Sequence, residues 1–135
     1  MKDDNQNMAF ANEMSSYSKI LSDIAKDGQN FGRMNDPTSS AAIKGPCGDE
    51  MEFYLVIKNK IIEEIKFYTK GCIATRVCGI ITVQLALGKS IDEALGISPK
   101  KVMDNLTDLP EEHRHCSILA VSTLHRAIAD YLLKD

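Results

Sequence analysis

Two adjacent runs of period-two alternation constrain this chain more than any other feature. In the first, Met51, Phe53, Leu55 and Ile57 alternate with Glu52, Tyr54, Val56 and Lys58. In the second, Ile61, Ile65 and Phe67 fall on one face, with Glu64, Lys66 and Tyr68 on the other. Successive side chains of a strand point to opposite faces, so each run reads as a strand with one buried side. Asn59-Lys60 between them reads as a tight hairpin turn, because Asn tolerates the positive φ that such a turn requires. A stretch around Ala41 to Lys44 reads as a short edge strand. The expected sheet is small and antiparallel, with about three strands.

After Gly71 the period changes. Val77, Ile80, Ile81 and Leu85 mark a helix from about Cys72 to Leu87, closed by Gly88. Ser90 and Glu93 form a capping box for a short helix, and Ser98-Pro99 starts another. Leu109-Pro110 breaks the chain. A last helix is expected from about Ser117 to Leu133, with Ile118, Val121, Leu124/His125, Ile128 and Leu132 as its stripe. Upstream, Ile20, Leu21 and Ile24 mark a short helix from Tyr17 to about Lys26, ending at Asp27-Gly28. Asn30 to Gly45 reads as a loop containing the edge strand. Residues 1–16 carry little periodicity and read as a disordered tail before a single domain, 17–135. The fold class expected is α+β, with helices packed on one face of the sheet.

A hydrophobic share of 44% supplies an ordinary core without disulfide staples. The net charge is −3 and there is no dense Lys/Arg run, which argues against nucleic acid or an anionic membrane as partner. No stretch approaches the roughly 18–20 apolar residues of a membrane span. Met1 to Ser16 is polar, carries Asp3, Asp4 and Glu13 and has no Arg, unlike a secretory or mitochondrial leader. A cytoplasmic location is expected, where thiols stay reduced. Four cysteines in that setting read as metal-binding or catalytic.

Three of those cysteines lie at turn or helix-start signals. Cys47 and Asp49 flank Gly48 just before the first long strand, in a turn that can aim a thiolate and a carboxylate together. Cys72 lies at a strand-to-helix junction, where free N–H groups and the helix dipole favour a thiolate. His115 and Cys116 lie at the next such junction, beside Arg114. Three sulfurs with His or Asp complete a four-ligand set suited to Zn²⁺ or to an iron–sulfur cluster. The cysteines are 25 and 44 residues apart, with no C-x-x-C knuckle. A site assembled from separate loops opens more easily than a knuckle and suits a transient cargo.

Blander readings apply elsewhere. Cys78, six residues after Cys72 and so about 120° around a helix, reads as a core residue. His113 reads as a loop residue and His125 as structural. Asp49 in an Asx turn, or His115 bound to a backbone carbonyl, would be the non-metal readings of those two.

Taken together, these motifs resemble the IscU-type iron–sulfur cluster scaffold, the NifU N-terminal domain family. The resemblance runs from about Tyr17 to the C-terminus. It rests on Tyr17-Ser18, Asn30-Phe31-Gly32, Cys47-Gly48-Asp49-Glu50-Met51, Lys70-Gly71-Cys72 and Gly88-Lys89-Ser90-Ile91-Asp92-Glu93-Ala94. It continues in Leu109-Pro110, His115-Cys116-Ser117-Ile118-Leu119-Ala120 and Ala129-Asp130-Tyr131.

The resemblance implies a scaffold, not an enzyme. It receives sulfur from a cysteine desulfurase, binds iron, builds a [2Fe–2S] cluster and passes it to apo-proteins. It further implies Cys47, Cys72 and Cys116 as sulfur ligands, with Cys116 as persulfide acceptor. Asp49 and His115 would be exchangeable fourth ligands, and Zn²⁺ could fill the empty site. Ferredoxin and a frataxin-like protein are implied partners, as is a dimer or trimer on cluster binding. An Hsp70-type chaperone reads a Leu-Pro-Pro-Val-Lys segment in many members. Here that segment is Leu109-Pro110-Glu111-Glu112-His113, which weighs against that partner.

The family's small run Gly-Ser-Ala-Ile-Ala-Ser is Ile73-Ala74-Thr75-Arg76-Val77-Cys78 here, and Ile73 and Arg76 are expected to reshape the cluster mouth. The alternatives are a zinc-dependent sulfur-transfer protein of the SufU type, or a structural zinc module. SufU-type chains carry an insertion between the second and third cysteine motifs, for which 44 residues leave no room.

Overall fold

The structure, a computed structural model, describes residues 30–46, 48–106 and 114–134. The expected tail, the Tyr17–Lys26 helix and the Leu109-Pro110 break lie outside the described residues. Among the described residues, three strands, β1 (Ser39–Lys44), β2 (Glu50–Lys58) and β3 (Ile61–Thr69), precede four helices. These are α1 (Ile73–Ala86), α2 (Ile91–Leu95), α3 (Pro99–Asp104) and α4 (Arg114–Leu132). The strands form one antiparallel sheet in the order β1-β2-β3. Asn59 and Lys60 both adopt left-handed backbone, φ 53° and 63°, the geometry that matches a two-residue turn to the twist of its strands.

One face of the sheet is the core. Met51, Phe53, Leu55, Ile65 and Phe67 are buried beneath α4, which lies over β1 and β2, and α1, which lies over β3. The expected register of β3 needs correction. Val56 opposes Glu64 while Ile57 opposes Ile62, so Glu63 is an extra residue on β3. Such a bulge shifts the alternation by one. Ile62 therefore points into the core and Ile61 is 37% exposed.

The stripe of α4 also differs from expectation. Ile118 is 51% exposed and Leu132 is exposed, whereas Cys116, Ala120, Thr123 and Ala127 are buried beside Leu124 and Ile128. Small side chains make up much of the buried face, which large-apolar spacing alone does not register. The helix also begins at Arg114 rather than near Ser117, so His115 and Cys116 lie inside its first turn.

The short helices follow their caps. Ser90 and Glu93 close both halves of the capping box on α2, and the Ser98 side chain accepts from the Lys101 N–H ahead of Pro99 on α3. No helix among the described residues is long and apolar enough to cross a membrane.

α1 approaches the sheet at Gly79. A Cβ there would lie 2.5 Å from the Phe67 ring. Gly79→Ala is expected to lower stability by about 1–3 kcal/mol through overpacking, despite the better helix propensity of Ala. Urea unfolding measures it; an unchanged midpoint would show that Phe67 moves aside freely.

Candidate metal and sulfur site

Three elements bring the expected chemistry to one end of the sheet. The turn before β2 is closed by the Gly45 N–H donating to the Asp49 carbonyl at 2.7 Å, with Gly48 at φ 93°. It places Asp49 beside the end of β3. Gly71 makes room for the carboxylate, since a Cβ at that position would lie 2.7 Å from Asp49 Oδ2. Cys72 is the N-cap of α1 and is partly exposed. The first turn of α4 supplies partly buried His115 and fully buried Cys116.

These groups meet on a residue that the sequence reading passed over. The Thr75 hydroxyl donates to Asp49 Oδ2 at 2.6 Å. The same oxygen lies 3.5 Å from Cys72 Sγ and 3.4 Å from Cys116 Sγ. Nε2 of His115 lies 3.6 Å from Cys116 Sγ. Asp49, Cys72, Cys116 and His115 thus form one cluster. Cys47, the remaining expected ligand, lies outside the described residues.

The two thiols share a proton unequally. A hydrogen bond from Cys116 is the main influence holding Cys72 well below the usual thiol range; burial opposes it and the Thr75 hydroxyl assists it. No amide of the turn completes a cap hydrogen bond to the sulfur. The Thr75 and Ala74 N–H groups act on it more weakly, as the positive end of the helix. Cys116 is pushed up, first by that hydrogen bond to Cys72 and then by burial. The contact thus favours the thiolate on Cys72 and the thiol on Cys116.

Burial also bears on the choice of Cys116 as persulfide acceptor. Its side chain is 0% exposed, because it sits inside the first turn of α4 instead of ahead of it. Among the described cysteines the accessible nucleophile is Cys72. Iodoacetamide is therefore expected to modify Cys72 well before Cys116 or Cys78 in metal-free protein at neutral pH, as read by peptide mass mapping. Equal labelling of Cys72 and Cys116 would contradict this protonation scheme.

Other expectations resolve as follows. Cys78 is fully buried and pushed up to about 12 by burial, a core residue as expected. His125 stands 3.3 Å from the Ala94 carbonyl, a structural position. Ile73 does not reshape the mouth of the site, since its side chain is 3% exposed and packs in the core. Arg76 turns away, its guanidinium 4.2 Å above the Phe31 ring. His113 lies outside the described residues. Asp49 also borders a cleft of about 200 Å³ whose walls include Arg33, Glu52, Tyr68 and Lys70. The cleft leaves one side of the carboxylate open to solvent.

Among the described residues, no group of three His, Cys, Asp or Glu side chains yet stands at metal-binding separation. The donor types nonetheless fit iron or zinc: two sulfurs and one carboxylate around one point, with one imidazole beside Cys116.

The model of the NifU-like N terminal domain matches residues 16–135. The chain belongs to this family. Among its relatives are the iron–sulfur cluster assembly scaffold proteins IscU 1 and IscU 2 of Archaeoglobus fulgidus. Each is 38% identical over 120 residues, spanning 88% of this chain and 78% of the relative. The iron–sulfur cluster assembly scaffold protein IscU of Escherichia coli is 33% identical over 123 residues, spanning 87% and 95%.

Two solved structures share the NifU-like fold. The N-terminal part of a nitrogen-fixing NifU-like protein from Brucella abortus superposes with TM-score 0.71 at 16% identity, covering 87% of this chain and 95% of that one. A putative scaffold protein for the SUF system from Fervidobacterium islandicum gives 0.70 at 19% identity, covering 84% and 97%. At these identities the likeness concerns the fold.

Proposed function

We propose that this member of the NifU-like family is an iron–sulfur cluster assembly scaffold. It takes sulfur from a cysteine desulfurase, binds iron, assembles a [2Fe–2S] cluster and transfers it to apo-proteins. The cluster is cargo, and the protein is a carrier rather than a catalyst. Residues 17–135 would form the scaffold domain, working in the cytoplasm where its thiols stay reduced. The observation that carries this reading is the convergence of Asp49, Cys72 and Cys116 on one point, beside His115.

Sulfur arrival is a thiol exchange. A scaffold thiolate attacks the outer sulfur of the desulfurase persulfide. A new S–S bond forms on the scaffold, the S–S bond of the desulfurase breaks, and its cysteine leaves as thiolate, with no net oxidation. Among the described cysteines the open acceptor is Cys72. Acceptance on Cys116 requires docking to draw the first turn of α4 outward, because that sulfur is buried. Cys47 joins the ligand set by resemblance.

Asp49 and His115 contribute weaker ligands than thiolate, and these let the cluster leave. Zn²⁺ suits the same donors when no iron is supplied.

Anaerobic reconstitution with iron, cysteine and a desulfurase tests this. The expected result is visible sulfur-to-iron charge-transfer absorption that moves to an apo-acceptor. Tight, inert zinc with no cluster formed would support the structural zinc module instead. Zinc that a desulfurase displaces, with sulfur accepted but no cluster built, would support a SufU-type carrier.

A further inference from the structure

We propose that the Thr75 hydroxyl is a placeholder partner for Asp49, occupying the carboxylate oxygen that a metal ion would take and releasing it when the ion enters. The inference rests on the scaffold reading and names a residue which that reading does not use. Thr75 is 0% exposed and belongs to the third turn position of α1 after Cys72. Its oxygen contacts Asp49 Oδ2, Cys72 Sγ and Cys116 Sγ at 2.6, 3.5 and 3.4 Å.

A hydroxyl has one proton to donate. The carboxylate is the stronger acceptor and stands closest, so the proton goes to Asp49 and the sulfurs pack against the oxygen. A metal ion that takes Asp49 Oδ2 as a ligand, at about 2.0–2.2 Å, displaces the hydroxyl proton from that oxygen. Metal and hydroxyl therefore compete for one carboxylate oxygen.

Two other buried helical threonines show that this arrangement is not a default. Thr82 and Thr123 donate to the carbonyls four residues back, Cys78 and Leu119, each at 2.7 Å. That satisfies a buried hydroxyl within its own helix. Thr75 instead crosses to Asp49, 26 residues away in sequence.

The competition has a sign. Breaking the Thr75–Asp49 hydrogen bond opposes metal entry and gives Asp49 a partner when the metal leaves. Thr75→Ala removes the competitor. Because water in the adjoining cleft can take over part of the bond, Zn²⁺ affinity is expected to rise by about three- to tenfold. Thr75→Ser keeps the hydroxyl and is expected to bind as wild type.

The experiment is Zn²⁺ competition against a chromophoric chelator, on the full metal-free chain, for wild type, Thr75→Ala, Thr75→Ser and Cys72→Ser. Tighter binding in Thr75→Ala with wild-type affinity in Thr75→Ser supports the placeholder. Equal or weaker binding in Thr75→Ala overturns it. Cys72→Ser separates the two levels: if it binds as wild type, the ligand set of the scaffold reading fails. If it binds poorly while Thr75→Ala equals wild type, only the placeholder fails. A second readout needs no variant. The χ1 angle of Thr75, from three-bond scalar couplings in wild-type protein, should change on Zn²⁺ loading, and a χ1 that stays fixed overturns the proposal.

Discussion

Cys72→Ser is expected to abolish cluster assembly while leaving the fold intact. The Cys72 sulfur caps α1 without closing a cap hydrogen bond, so Ser, a good N-cap residue, can replace it without local cost. What is lost is chemical. Cys72 is the partly exposed thiol of the described cluster and the one whose pKa its neighbours lower. A serine hydroxyl is neither a thiolate ligand nor a sulfur acceptor at neutral pH. Reconstitution followed by visible absorption checks this, with far-UV circular dichroism as the folding control. Retained wild-type cluster yield in the variant would remove Cys72 from the site.

Asp49→Ala should act in the opposite direction, trapping cargo. A hard carboxylate oxygen holds iron less firmly than thiolate does, so Asp49 is the ligand that lets go first. In this chain it also has somewhere to go, because the Thr75 hydroxyl stands ready to donate to it. Without Asp49 both the labile ligand and its alternative partner are gone. Transfer to an apo-acceptor is expected to slow by about tenfold, the order of one charge-assisted hydrogen bond, while the colour persists on the scaffold. Circular dichroism in the visible range follows the transfer, and identical rates in variant and wild type would take Asp49 out of release.

The fate of each expectation has a physical cause. The hairpin was readable because Asn59 and the two alternating runs agree on one turn and one buried face. Ile61 falls on the outer side because Glu63 is an inserted residue, a shift whose mark in the sequence is the doubled Ile61-Ile62-Glu63-Glu64. The caps of α2 and α3 were local signals and appear as expected. The face of α4 was misjudged at Ile118 because close packing against the sheet selects Ala120, Thr123 and Ala127.

At the site, Asp49, Cys72, His115 and Cys116 were all recognisable from residue type and position. Their protonation was not, since it depends on the contact of Cys116 with Cys72 across two helices. Thr75 escaped because a threonine three residues into a helix looks like any other. The available hint was a hydroxyl one turn beyond a candidate ligand.

The account rests on Asp49, Cys72 and Cys116 closing around an assembling cluster. The most direct test is Mössbauer spectroscopy after anaerobic reconstitution of the full chain with isotopically enriched iron, cysteine and a desulfurase. The account predicts the quadrupole doublets of a diamagnetic [2Fe–2S]²⁺ cluster, with one iron site distinguished by oxygen or nitrogen ligation. Spectra showing only high-spin mononuclear iron, with no cluster at any time of reaction, would contradict it.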